Sequence, residues 1–199
     1  MPDPVIVTKV NREFTPTSFK ITPYKKVRVG ERLDFEINVI AEAQDNLKKR
    51  AIVKPNIPTW SAFKILCDEG IALGGEDTAP SPLCYFSAGI ALCLLTHLTL
   101  FIKAKNLQID QLRIEQRTTF ATDAEKSAET VGTCDGVETH ILVESSEPED
   151  EIKYLASISE QACMAMQTIV NPIPQVNHVH LNGKKIAWHL SNQGASTAI

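Results

Sequence analysis

The sequence of 199 residues predicts an α+β fold, and three observations carry this prediction. Short segments with the apolar–polar alternation of half-buried strands fill residues 5–66. A long apolar helical segment follows at residues 82–105, and after it come two strands, an amphipathic helix and a hairpin. Strands and helices do not alternate as a parallel sheet would require, so we expect antiparallel sheets packed against helices.

Residues 1–60 form a strand-rich N-terminal segment in this interpretation. β-Branched residues dominate residues 5–10, and residues 33–40 alternate between apolar and polar side chains. Prolines separate the candidate strands, because proline lacks the amide hydrogen that a sheet ladder needs. Further short strands are predicted at residues 27–30, 51–53 and 63–66.

Residues 82–105 are predicted to form a long central helix. Ser81 is a favourable N-cap, Pro82 suits the first helical position, and Asn106 is a favourable stop. Residues 83–102 contain no formally charged side chain and approach the length of a membrane span. Hydroxyl side chains and a histidine interrupt the stretch, and no second span accompanies it, so we expect a buried helix and no membrane partner.

An antiparallel strand pair and a C-terminal hairpin are predicted further along the chain. Strands at residues 107–120 and 137–143 flank a polar connection. Asn182-Gly183 lies between two strand-like runs, which is a strong hairpin signal, and residues 191–199 are expected to fray.

A second helix is predicted between the strand pair and the hairpin. Residues 146–149 have the sequence of a capping box with proline in the first turn, and Asn171-Pro172 stops the helix. One stripe of this helix carries apolar or small side chains, namely Ile152, Leu155, Ser159, Ala162, Met166 and Ile169.

Composition and charge exclude several function classes. The formal net charge is −4, with 20 basic against 24 acidic residues, and there is no extended basic run, so we expect no nucleic acid partner. The chain begins without a basic region followed by an apolar one, so we expect no secretory signal and a cytoplasmic location. Five cysteines are an odd number without a CxxC motif, which indicates free thiols in a reducing compartment.

Cys93 in the central helix and Cys163 in the second helix are the candidate chemical residues. Taken singly, each fits an inert core thiol. As a pair on facing helices, they could reduce a peroxide: one thiolate becomes a sulfenic acid, and the second thiol condenses with it to a disulfide. His97, one helical turn after Cys93, is either a partner for that thiolate or a buried core histidine.

A metal site is a weaker alternative. His178 and His180 share a face of a predicted strand, with His140, His189 or Cys134 as a possible third ligand. No recognised metal-ligand spacing joins them, so we expect a solvated strand face and no metal or other cofactor. Phosphate-loop glycine motifs and the GxSxG elbow of serine hydrolases are absent from the sequence.

Residues 74–83 (GGEDTAPSPL), running into an apolar helix with Cys93, resemble the osmotically inducible / organic hydroperoxide resistance (OsmC/Ohr) family. The later helix with residues 159–163 (SEQAC) is similar to the same family, and the likeness covers residues 61–190, the predicted OsmC-like core. The resemblance implies an intertwined homodimer in which antiparallel sheets wrap two central helices. It also implies a reactive Cys93, a resolving Cys163, organic hydroperoxide substrates and a thiol reductant.

The sequence departs from the family pattern at three places. Leu83 and Cys84 stand where the family's peroxidases carry a glutamate, and Met164 stands where many members have proline. No arginine of the N-terminal half lies in a recognisable motif. Two functional hypotheses follow: a two-cysteine organic hydroperoxide peroxidase, or a catalytically weak module that binds a small apolar ligand at the dimer interface.

Overall fold

The structure, a computed structural model, describes residues 5–10, 14–122, 130–171 and 173–186. Within these ranges it confirms the predicted α+β class, with antiparallel sheets and helices. The elements are β1 (Val7–Val10), β2 (Ile37–Ala43), β3 (Lys49–Pro55), β4 (Ala62–Cys67), α1 (Pro82–Lys105), β5 (Ile109–Thr122), β6 (Gly132–Ser145), α2 (Glu149–Ala162), α3 (Met164–Val170), β7 (Val179–Leu181) and β8 (Lys184–Ile186).

The N-terminal sheet has the strand order β1-β4-β3-β2, and every neighbouring pair is antiparallel. β4 lies in the predicted core segment 61–190 but pairs with strands of the N-terminal segment, so this sheet joins the two. The predicted strand at residues 27–30 is wrong, because the chain makes a turn there and Gly30 takes a φ of 90°.

The central helix α1 has the predicted bounds. The Ser81 hydroxyl accepts the Cys84 amide at 3.4 Å, and Pro82 occupies the first turn. Asn106 ends the helix in the left-handed conformation, with φ 57°. Lys103 and Lys105 in the last turn complement the negative end of the helix dipole.

The β5–β6 hairpin is longer than the apolar pattern indicates. β6 begins at Gly132 instead of residue 137, because the polar residues at its start still pair through their backbone with the end of β5. Leu112, Ile114 and Ile141 on one face of the hairpin pack against the helical core.

The second helix corrects two predictions. The capping box is wrong, because Pro148 occupies the N-cap position without a side-chain bond, and three acidic residues in the first turn complement the helix dipole instead. The predicted single helix is also interrupted at Cys163, whose backbone is extended (φ −72°, ψ 102°). The Cys163 sulfur accepts the Met166 amide at 3.5 Å and so caps the start of α3.

The hydrophobic core of the helical region consists of Leu94, Leu98, Leu155 and Cys163, all fully buried. α1 and α2 run antiparallel, since Lys105 at the end of α1 forms a 3.3 Å ion pair with Glu151 at the start of α2. This arrangement brings the middle of α1 level with the end of α2.

The C-terminal hairpin β7–β8 confirms the Asn182-Gly183 signal. Both residues have positive φ, 52° and 79°, as a two-residue hairpin turn of this hand requires. The rest of the predicted last strand and the predicted tail, residues 187–199, lie outside the described residues.

Asp68 fixes the loop that leads into α1. Its buried carboxylate accepts hydrogen bonds from the Glu69 amide at 2.8 Å, the Glu76 amide at 3.3 Å and both the amide and hydroxyl of Thr78, at 3.0 and 2.8 Å. These bonds, led by the Thr78 amide, lower the pKa of Asp68 from 3.8 to about 2. The loop is thereby tied to the end of β4.

We expect Asp68→Asn to lower the melting temperature at pH 7 by about 5–10 °C. The amide nitrogen of asparagine would replace a carboxylate oxygen that accepts hydrogen bonds from the loop, and a nitrogen donor cannot accept them. The carboxylate's contribution is fully present above pH 3.8 and is lost as the pH falls through about 2. Thermal melts from pH 7 to pH 2 test this. The gap between wild type and variant should narrow below pH 4, and a gap that does not change with pH would contradict the assignment. Asp77→Asn, at an exposed position of the same loop, is the matched control.

Candidate functional site

The structure brings Cys93 and Cys163 together. Cys93 lies in the middle of α1, and Cys163 lies at the junction of α2 and α3, where the two antiparallel helices meet. Cys93 packs against the core cluster that contains Cys163, and its thiol is close enough to raise the pKa of Cys163. Two thiols that are far apart in the sequence are therefore neighbours in the helical core.

The two thiols differ in exposure. Cys163 is 0% exposed, whereas Cys93 is partly exposed. Cys93 is therefore the more accessible residue of the pair, and Cys163 cannot be reached without a movement of the surrounding chain.

Burial raises the pKa of the Cys163 thiol, the Met166 amide opposes this shift, and the neighbouring Cys93 adds to it. The raised pKa favours the neutral thiol form of Cys163.

The surroundings of the pair are apolar. Ala165, Met166 and Phe101 pack with the two thiols around the buried leucines of the core. His97 lies against Phe101, with 6.4 Å between the ring centroids. The structure thus shows His97 in an aromatic contact, next to Phe101.

The first turn of α1 contains no acidic residue. Leu83 and Cys84 are both exposed, and the Ser81 hydroxyl lies 3.3 Å from the Cys84 sulfur. Tyr85 anchors this end of the helix to the N-terminal sheet, since its hydroxyl donates to the Leu66 carbonyl at 2.6 Å.

Four of the described arginines form ion pairs on exposed surfaces. These pairs are Arg32–Asp34, Arg50–Glu42, Arg113–Glu115 and Arg117–Glu138. A fifth, Arg28, is exposed in the loop before β2, and Arg12 lies outside the described residues.

The described histidines of the metal alternative form no recognisable metal site. In the described ranges, no group of three or more His, Cys, Asp or Glu side chains could hold a metal ion. His140 instead lies 3.2 Å from Glu138 on the β5–β6 hairpin. His180 is in β7, His178 lies just before it, and His189 is outside the described residues.

The outer side of α1 is an exposed apolar face. A shallow groove of about 350 Å³ follows it and is lined by Leu92, Leu95, Thr96, Thr99 and Leu100. Leu92 is 62% exposed and Leu100 is 55% exposed. By length and composition alone this helix could also cross a membrane, a test that core helices of soluble proteins pass as well.

A protein-family model described as OsmC-like protein matches residues 75–178, which include α1, the β5–β6 hairpin and both cysteines of the pair. The chain belongs to the OsmC-like family. This membership confirms the resemblance drawn from the residues around Cys93 and Cys163.

Solved structures show the same OsmC-like fold. An OsmC-like hydroperoxide resistance protein from Jannaschia sp. CCS1 has a TM-score of 0.51 and 21% identity, with 76% of this chain and 95% of that chain covered. An OsmC-like protein from Mycoplasma pneumoniae has a TM-score of 0.53 and 18% identity, with 68% and 87% covered. A search of curated proteins found no match to this chain.

Sequence reasoning did not detect two features of this site. The break at Cys163 removes the thiol from a continuous helix and makes it the cap of α3. Ser159, one turn earlier on α2, is fully buried with an unpaired hydroxyl. A serine within an otherwise apolar stripe was the available signal for the second feature.

Proposed function

We propose that this protein reduces organic hydroperoxides through a two-cysteine cycle, with Cys93 as the peroxidatic thiol and Cys163 as the resolving thiol. The observation that carries the proposal is the packing of a partly exposed Cys93 against the core cluster that contains the fully buried Cys163. Family membership supports it, as does the hydroperoxide resistance named for the Jannaschia protein of the same fold.

The cycle begins when the Cys93 thiolate attacks the distal oxygen of the hydroperoxide. The O–O bond breaks, Cys93 becomes a sulfenic acid, and the alkoxide takes up the proton that the Cys93 thiol released on ionising and leaves as the alcohol. Cys163 then attacks the Cys93 sulfur, the S–O bond breaks, and water leaves as the disulfide forms. An external thiol restores both cysteines by exchange and is itself oxidised.

Apolar surroundings favour an organic substrate. The pair is packed among leucine, methionine and phenylalanine side chains, which match an alkyl or aryl hydroperoxide better than hydrated hydrogen peroxide. The reductant must be a thiol that can reach the partly exposed Cys93.

Steady-state peroxide consumption tests this function. The protein should consume cumene hydroperoxide when dithiothreitol or lipoamide is supplied, and it should do so much faster than buffer with the same reductant. A rate equal to that of the buffer would contradict the proposal.

A homodimer is part of the proposal. The exposed apolar face of α1 would be buried by a second copy, which accounts for a 24-residue helix with only Ile90, Leu94 and Leu98 buried in the single chain. We propose a cytoplasmic dimer and no insertion of this helix into a membrane.

We expect the double variant Leu92→Glu, Leu100→Glu to dissociate the dimer, because two carboxylates would have to be desolvated in its apolar interface. Light scattering after size exclusion should give twice the 21.9 kDa chain mass for wild type and a single chain mass for the variant. Ile71→Glu, at an exposed site outside the helix, should remain dimeric. A monomeric wild type would overturn the proposal of a dimer.

The second candidate function is an apolar-ligand module at the same interface. The absence of a carboxylate from the first turn of α1 favours it, because Leu83 and Cys84 cannot act as the family's glutamate does. Organic extraction and mass spectrometry of the purified protein would reveal a carried ligand. A protein that carries none and shows peroxide turnover would exclude this alternative.

A further inference from the structure

The hydroxyl of Ser159 is an unexplained buried polar group. Ser159 is 0% exposed, and its Oγ has no hydrogen-bond partner. Buried hydroxyls are nearly always paired, because an unpaired one loses its bonds to water without replacement. The other such atom among the described residues is Nδ2 of Asn38, which lies in β2 of the N-terminal sheet and away from the helical core.

Ser159 lies next to Cys163, the buried thiol of the pair. It precedes Cys163 by one helical turn, and the Cys163 amide donates to the Ser159 carbonyl at 3.0 Å, so helical spacing is kept between them. Residues at this spacing share a helix face, with their Cβ atoms roughly 6 Å apart. Both are fully buried, Ser159 on the core-facing side of α2 and Cys163 at the C-cap of that helix.

The charge on Cys163 must change during the proposed cycle. A neutral thiol is a weak hydrogen-bond acceptor, whereas a thiolate is a strong one. In the reduced protein the Cys163 sulfur accepts the Met166 amide at a long 3.5 Å. Cys163 must lose its proton before its sulfur can attack Cys93, so negative charge develops on this buried sulfur. The hydroxyl of Ser159, one helical turn away, has no other hydrogen-bond partner to donate to.

We propose that Ser159 is a further catalytic residue, whose hydroxyl donates a hydrogen bond to the Cys163 sulfur as that sulfur ionises to attack the sulfenic acid of Cys93. This inference rests on the proposed two-cysteine function and concerns only its second step. The Cys163 proton leaves with the hydroxyl group of the sulfenic acid as water, and Ser159 keeps its own proton throughout.

The test separates the two chemical steps in Ser159→Ala. Reduced protein is mixed with one equivalent of cumene hydroperoxide, and peroxide loss, dimedone-trapped Cys93 and disulfide are followed by mass spectrometry. We expect unchanged peroxide loss, disulfide formation slower by about 10-fold and more trapped sulfenic acid, because a hydrogen bond to a charged group is lost. Ser157→Ala is the matched control, since Ser157 is exposed on the same helix and accepts from Gln161.

The possible results separate a failure of the Ser159 role from a failure of the two-cysteine cycle. Disulfide formation in Ser159→Ala within two-fold of wild type would overturn the inference and leave the two-cysteine cycle intact. A wild type that forms no disulfide between Cys93 and Cys163 would refute the cycle itself. A variant that melts at lower temperature and slows both steps equally would show a purely structural role, because the loss of an unpaired hydroxyl should not destabilise the fold.

Discussion

Cys93→Ser is expected to abolish hydroperoxide turnover, with a loss of at least ~100-fold, because the serine hydroxyl is not ionised at neutral pH and its oxygen is not oxidised by peroxides. Steady-state consumption of cumene hydroperoxide with dithiothreitol measures this. Cys134→Ser, at an exposed thiol in β6, should keep wild-type activity. Retention of more than a tenth of the activity by Cys93→Ser would contradict the assignment of the peroxidatic thiol.

Cys163→Ser is expected to behave differently from Cys93→Ser. It should still consume one equivalent of peroxide, because Cys93 is intact, and it should then stay as a sulfenic acid. Without the resolving thiol, excess peroxide should carry Cys93 to the irreversible sulfinic and sulfonic acids. Equal behaviour of the two serine variants would mean that the two sulfurs do not have separate roles.

Leu98→Ala is expected to destabilise the fold by about 3 kcal/mol, because a fully buried leucine is replaced and the cavity collapses only partly. Leu98 is in the four-residue core cluster with Leu94, Leu155 and Cys163, so its loss also loosens α1 against α2. Urea denaturation of variant and wild type measures the difference.

Leu73→Ala is the control for that experiment, since Leu73 is 66% exposed in the loop before α1. It should change the free energy of unfolding by less than about 0.5 kcal/mol. Equal losses of unfolding free energy in the two variants would show that the stability of the chain does not depend on the packing of α1 against α2.

Local signals predicted the elements whose ends are fixed by their own residues. The bounds of α1 follow from the Ser81-Pro82 start and the Asn106 stop, both of which act within one turn. The C-terminal hairpin follows from Asn182-Gly183, because few other residues accept positive φ at both turn positions.

Elements whose form depends on distant contacts were predicted less well. Residues 27–30 have strand-like composition but make a turn. The apolar stripe of the second helix continues past Cys163, and the break there is visible only from the extended backbone and the bond to the Met166 amide. The helical periodicity of apolar residues does not show that Cys163 caps α3.

The site was predicted in part for the same reason. Spacing along the chain contains no information on whether Cys93 and Cys163 meet, and the family resemblance supplied that expectation. Ser159 was assigned only to an apolar or small stripe, because an unpaired hydroxyl is recognised by its surroundings and not by its sequence position. Asp68 likewise gained significance only from the donors of the loop that surrounds it.

The central claim is that helix packing makes one redox pair of Cys93 and Cys163. It is tested most directly by treating the reduced protein with one equivalent of cumene hydroperoxide, quenching with iodoacetamide and mapping its peptides by mass spectrometry. We expect a mass loss of about 2 Da before alkylation and a single linked peptide pair that contains Cys93 and Cys163. Unmodified protein in which both cysteines are alkylated, or a disulfide that joins other cysteines, would contradict it.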